Sequence, residues 1–171
     1  MKNDSITEWD ERYSVGIQSI DGQHQELIRL INNFYLACKE DDEGAKTSFK
    51  LMVHGLVNYI KYHFAAEEQL LSRIKYPDIA AHSRQHTEFI RDLLERVGNF
   101  ERGKVFSLKN FARYIRDWML IHITLIDKKY ATYIHFVNGQ VNSQQVHNVP
   151  AVSVLGKIMA DTEGPSELFL G

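Results

Sequence analysis

Residues 63–86 read HFAAEEQLLSRIKYPDIAAHSRQH, and the spacing inside this stretch decides the fold. His63 and Glu67 are four apart, His82 and His86 are four apart, and Pro77-Asp78 lies between the two pairs. On an α-helix, positions i and i+4 share a face. The residue before a proline disfavours helical geometry, so one helix ends near Tyr76, and Asp78 is suited to cap the next. Two consecutive helices therefore each present a pair of metal-type ligands from one side. Either pair alone arises easily by chance in a chain with eight histidines. Both together, joined by a short connection, direct the search to the rest of the chain.

The helix carrying the first pair is predicted over 45–74. Its apolar stripe runs Phe49, Met52, Leu56, Tyr59, His63, Glu67, Leu70, Ile74, close to a period of 3.5. A charged Glu67 in such a stripe is costly unless paired or metal-bound. His54 is roughly half a turn out of phase with His63 and reads as a surface residue. The helix carrying the second pair is predicted over 79–97, with His82 and His86 in line with Phe89, Leu93 and Val97. Gly98 and residues 101–104 then form a turn. Upstream, Asp21 is expected to cap a helix whose stripe is His24, Leu27, Ile28, Ile31, Phe34, Tyr35 and Cys38. A histidine on an apolar stripe is more often a packed core residue than a ligand, so His24 gains weight only from the others. Lys39 to Gly44 forms a polar turn.

Downstream, a fourth helix is predicted over 107–133, marked by Phe111, Ile115, Trp118, Met119, His122, Ile126, Tyr130 and Tyr133. Asp127 follows His122 by five residues, which on a regular helix places them about 140° apart. They either flank the bundle axis from the two edges of the stripe or are brought into line by a local π-turn; the first is the expectation. Residues 1–20 read as an arm docked by Trp9 and Tyr13. Residues 134–171 lose helical periodicity, carry a turn signal at Asn138-Gly139, and form an irregular C-terminal extension without chemistry. His135 and His147 lie beyond the bundle and read as non-ligands.

The expected architecture is all-α: an antiparallel up-down-up-down four-helix bundle over 1–133 with an N-terminal arm, followed by the extension 134–171. In such a bundle, early and late positions of neighbouring helices share one end. His24, His63, Glu67, His82, His86, His122 and Asp127 therefore converge. Five imidazoles and two carboxylates are too many for one four-coordinate zinc and suit two metal ions sharing carboxylates. Spacing alone leaves Fe, Zn, Cu or Ni open. No Glu-x-x-His or HExxH occurs, which argues against the ferritin-like carboxylate sites and the zinc proteases.

Composition bounds the rest. The chain has 171 residues, enough for one domain with a real core, and a net charge of −2. Nothing points to nucleic acid. Cys38 is the only cysteine, so no intrachain disulfide forms. The N-terminus lacks an apolar signal region, and the longest apolar stretch, near 118–126, is too short to span a bilayer. The expectation is a cytoplasmic protein without membrane insertion.

The pattern resembles the hemerythrin family, in its bacterial form. The resemblance rests on Trp9, Gly16-Ile17, Ile20-Asp21-Gly22-Gln23-His24, His63-Phe64 with Glu67-Glu68, Tyr76-Pro77, His82 with His86, Trp118, His122-Ile123 and Asp127-Lys128-x-Tyr130, across roughly 9–133. It implies a non-haem pair of iron ions (Fe2+/Fe3+) that binds O2 reversibly, for carriage, storage or delivery, and not an enzyme. It implies that His82, His86 and His122 hold one iron and fill it. His24 and His63 would hold the other, which keeps an open position for O2. Glu67 and Asp127 would bridge the irons together with an oxo or hydroxo group. The O2 pocket would be walled by Ile28, Phe64, Trp118 and Met119. The family commonly has leucine where this chain has Met119, a more flexible and oxidisable side chain. Tyr130, a turn beyond Asp127, reads either as a hydrogen-bond partner to a carboxylate or as core packing. Two other functions fit the same resemblance. One is an O2 or redox sensor acting on a protein partner, or through self-association, by way of the C-terminal extension; the other is a di-iron enzyme reducing NO or peroxide.

Overall fold

The structure, a computed structural model, describes residues 5–38, 42–104 and 106–144. Among them it is all helical. Helix α1 spans Gln18–Ala37. The second rod is α2 (Asp42–Tyr59), a π-helical segment (Ile60–Phe64) and α3 (Ala65–Arg73), running on without a break. Helix α4 spans Ile79–Glu101. The fourth rod is α5 (Leu108–Ile121), a second π-helical segment (His122–Asp127) and α6 (Lys128–Gln144). The expected four-helix bundle is thus present, with α1 packed on α2 and α5, and α3 on α4.

Several helix ends differ from expectation. Helix α1 starts at Gln18, so Asp21 lies inside its first turn rather than at the cap. Its carboxylate instead accepts from Val15 N at 2.7 Å, Gly16 N at 3.2 Å and Ser14 Oγ at 2.7 Å. It thereby holds the end of the arm, where Gly16 takes a φ of 76° that favours glycine. The arm itself follows the bundle surface. A short 3-10 turn forms at Glu11–Tyr13, Asn32 bonds Ile6 N and Thr7 O, and Lys128 Nζ donates to Ser14 O.

The second rod ends as the sequence suggests, though not through Pro77 alone. Tyr76 N bonds Leu71 O at 2.9 Å and Lys75 N bonds Ser72 O at 3.1 Å, with Lys75 at φ 54°. That is a Schellman motif, with Lys75 in the left-handed position usually taken by glycine. Asp78 sits at the next N-cap without a side-chain bond. Helix α4 passes through Gly98 and stops at Gly103, whose φ of 66° closes a second Schellman motif, Lys104 N to Asn99 O at 3.1 Å. Ser107 caps α5 through Asn110 N. Helix α6 continues past Tyr133 and through Asn138-Gly139 to Gln144, so the predicted turn there is absent. Residues 145–171, including His147, lie outside the described residues.

The core divides into two ends. Away from the histidines it is aromatic, with Phe34, Phe49, Phe100, Phe106 and Phe111 in mutual contact at ring separations of 4.1–6.1 Å. Leu27, Ile31, Met52, Leu56, Ile115 and Met119 fill the middle. The other end holds the polar centre.

Candidate metal centre

All seven predicted side chains meet at one end of the bundle, and each is at most 4% exposed. His24 comes from the second turn of α1. His63 sits on the first π segment and Glu67 on the first turn of α3. His82 and His86 come from successive turns of α4, and His122 and Asp127 bound the second π segment. The π geometry resolves the five-residue spacing against the sequence expectation. A turn closed by i→i+5 bonds puts residues five apart in line. His122 Nε2 and Asp127 Oδ1 are accordingly 3.1 Å apart, not on opposite edges of the stripe.

The ring nitrogens called Nε2 point inward. His82 Nε2 is 3.1 Å and His86 Nε2 3.2 Å from Glu67 Oε2, with His63 Nε2 at 3.8 Å from the same oxygen. His24 Nε2 is 3.6 Å from Asp127 Oδ2, and His86 Nε2 faces His122 Nε2 at 3.1 Å. Two groups of donor atoms each fall within 4.8 Å of one another: Glu67 with His82, His86 and His122, and His24 and His63 with Glu67. Glu67 is common to both, and Asp127 reaches from His122 to His24.

Electrostatics prepare these groups as electron-pair donors. Burial is the chief cause that lowers the pKa of His24 to about 4, of His63 to about 3 and of His122 to about 2, against the opposing pull of Glu67. Near neutral pH these rings are uncharged and keep a lone pair. Burial also resists ionisation of Glu67, but His63, His82 and His86 outweigh it and hold its carboxyl well below the usual range. Asp127 is driven the other way, first by burial and then by the charge of Glu67.

Around the centre, Phe64 lies flat on His86 at 3.7 Å, and Trp118 stacks on His122 at 4.6 Å and on Phe89 at 3.8 Å. Tyr59 stacks on His63 at 4.5 Å. Ile28 and Met119 are buried in the adjoining core. Tyr130 donates its hydroxyl to Glu67 Oε1 at 2.5 Å, so of the two readings left open by the sequence the hydrogen bond is the one observed. His54 is exposed, as expected, and His135 is exposed too, but it lies on α6 in the fourth rod rather than beyond the bundle. Three neighbours were given no role from sequence: Tyr59, Gln23 and Glu68. Gln23 Oε1 and Glu68 Oε1 each lie 2.9 Å from the Nδ1 of His63 and His86 respectively. For Gln23 and Glu68 the signal available was adjacency, since they stand beside His24 and Glu67 in sequence, and for Tyr59 it was the four-residue spacing to His63. One crevice between α1 and α2 reaches His63 past Gln23 and Tyr59, and another reaches His82 past Gln85 and Lys129.

The residues fit a cationic centre. Both nitrogens of His24, Nδ1 of His82 and both oxygens of Asp127 are buried without a hydrogen-bond partner. Each such orphan costs about 1–3 kcal/mol. Two imidazole nitrogens at 3.1 Å also oppose their lone pairs unless a proton or a cation lies between them. Metal ions at the centre would satisfy His24 Nε2 and both Asp127 oxygens, though not the Nδ1 atoms of His24 and His82 on the far side of their rings, and an imidazole and carboxylate donor set suits first-row transition metals.

Comparison with known proteins agrees with this chemistry. The chain is 30% identical over 126 residues to the bacteriohemerythrin of Stenotrophomonas maltophilia (strain R551-3), covering 74% of this chain and 80% of that protein. It is 28% identical to a hemerythrin-like protein of Naegleria gruberi, covering 71% and 88% of the two chains. A crystal structure of wild-type hemerythrin shares the fold, with a TM-score of 0.67 at 22% identity over 74% of this chain and 96% of that one. The family model described as the hemerythrin HHE cation binding domain matches residues 15–134. The chain belongs to the hemerythrin family.

Proposed function

We propose that this protein holds two iron ions and binds dioxygen reversibly, for its carriage, storage or delivery. His82, His86 and His122 would hold one iron and His24 and His63 the other, with Glu67 and Asp127 shared. The observation that carries the reading is the overlap of the two donor groups at Glu67, with Asp127 reaching both sides. Bound there, the irons would supply the pair of electrons that reversible O2 binding requires.

The chain's own residues favour binding over turnover. Phe64 and Trp118 cover the histidine rings and exclude water, while Ile28 and Met119 offer an apolar wall. Tyr59 and Tyr130, the phenols nearest the centre, are held protonated, first by burial and then by the negative charge of Glu67 and Asp127. The Tyr130 proton is engaged by Glu67. Neither group is tuned to release a proton near neutral pH, as a general acid would need.

Metal analysis with absorbance spectra of air-exposed and deoxygenated protein tests the proposal. Iron in roughly two equivalents, with a band that appears and disappears with oxygenation, is the expected result. Rapid consumption of O2, NO or peroxide with a reductant would replace the carrier by an enzyme. Chelation that leaves the melting curve unchanged would count against an internal metal site.

A further inference from the structure

Two of the imidazoles are held from behind by unlike groups. His63 Nδ1 bonds Gln23 Oε1 and His86 Nδ1 bonds Glu68 Oε1, both at 2.9 Å. An oxygen acceptor at Nδ1 keeps the proton on that nitrogen, so Nε2 is left with its lone pair. Those Nε2 atoms are the ones turned toward Glu67, at 3.8 Å from His63 and 3.2 Å from His86. Up to this point the two contacts are equivalent. They differ in charge, because Gln23 offers a neutral amide and Glu68 a carboxylate. A charge-assisted hydrogen bond is roughly twice as strong as a neutral one. It draws the Nδ1 proton further away and makes Nε2 the stronger donor. His63 and His86 belong to different donor groups, one on each side of Glu67.

We infer that Gln23 and Glu68 are positioning residues of opposite character that make the two halves of the centre electronically unequal. Glu68 enriches the His82, His86 and His122 half. Gln23 fixes His63 equally well but keeps the His24 and His63 half poorer in electron density. The poorer half is the one with fewer protein ligands, where weaker donation favours ready release of a bound oxidant. The inference rests on the di-iron reading above.

The test uses isosteric exchanges that keep each hydrogen bond: Glu68→Gln, Gln23→Glu, and the double exchange, which restores the net charge. Zn2+ affinity measured by chelator competition is a readout free of oxygen chemistry. Glu68→Gln should weaken it on the order of tenfold, and Gln23→Glu should strengthen it. In the iron-loaded protein the midpoint potential should rise in Glu68→Gln and fall in Gln23→Glu. The double exchange should release O2 more slowly than wild type, although its net charge is the same. Shifts of the same sign in both single variants would mean general damage and would overturn the inference. So would an unchanged potential in Glu68→Gln. A wild-type protein that takes up no iron would sink the di-iron reading itself, whereas wild type that binds O2 beside silent variants would sink this inference alone.

Discussion

Replacing Tyr130 by phenylalanine removes one oxygen atom and separates packing from hydrogen bonding. The Tyr130 ring is 0% exposed and packs edge-on against Tyr76 at 6.4 Å, a contact phenylalanine keeps. What is lost is the 2.5 Å hydrogen bond from the phenol to Glu67 Oε1. The histidines His82 and His86 approach the other oxygen, Oε2, so they do not compensate. No solvent replaces the donor, because Glu67 is also 0% exposed. A hydrogen bond to a charged group is worth about 1.5–3 kcal/mol, and an orphaned buried acceptor costs a similar amount. Taking about 2 kcal/mol and about 2–4 °C per kcal/mol for a chain of this length, the melting temperature should fall by about 4–8 °C. Thermal unfolding of iron-free and iron-loaded protein measures it. Tyr133→Phe is the control, since that hydroxyl makes only an exposed 3.4 Å contact with Lys75 O, and its effect should stay within about 0.5 kcal/mol. A Tyr130→Phe protein that melts with wild type would refute the claim that the phenol stabilises the Glu67 carboxylate.

Three further outcomes are expected. Burial holds His24 at about 4 and His63 at about 3 in the folded chain, while unfolded histidine titrates near 6.5; the unfolded iron-free chain therefore binds more protons, and stability is lost as pH falls from about 6.5 toward about 4, by about 1.4 kcal/mol per pH unit for each ring. Denaturant titrations at pH 7 and pH 5 that gave the same stability would contradict this. Met119→Leu, at a fully buried position, should change stability by less than about 1.5 kcal/mol but alter the O2 release or autoxidation rate, and identical rates would reduce Met119 to core filler. Asp21→Ala removes three acceptor contacts to Ser14, Val15 and Gly16, and should cost about 1–3 kcal/mol with faster amide exchange confined to the arm; uniform exchange along α1 would show that Asp21 supports the helix instead.

The four rods and the ligand register were legible because burial imposes a period. Every ligand position except Asp127 lies on a stripe that also holds Leu, Ile or Phe, and a polar residue there needs a partner. Helix ends were less legible. Gly98 and Gly103 look alike in sequence. Only Gly103 takes a left-handed φ; Gly98 stays within α4, where a glycine costs about 1 kcal/mol and is tolerated. Asn138-Gly139 misled for the same reason, since the helix is carried through it. Asp21 has the composition of a cap but turns back to hold the arm, a choice set by the tertiary path of residues 14–16.

The π segments mark the limit of what periodicity reveals, and also the reason the centre forms. A π-turn shifts hydrogen bonds by one residue and leaves no compositional trace, so the five-residue gap from His122 to Asp127 was its only sign. Helix α4 needs no such device, because His82 and His86 are four apart and a regular helix aligns them. The fourth rod must align residues five apart, and there the backbone departs from the α pattern over His122–Asp127. The second rod departs over Ile60–Phe64, where His63 and Phe64 are adjacent in sequence yet both buried, one facing Glu67 and the other lying on His86. Irregular backbone is less favourable than a regular helix and persists only where its surroundings hold it. Among the described residues both π segments carry members of the seven-residue centre, so the departures from helical regularity coincide with the demands of the donor set.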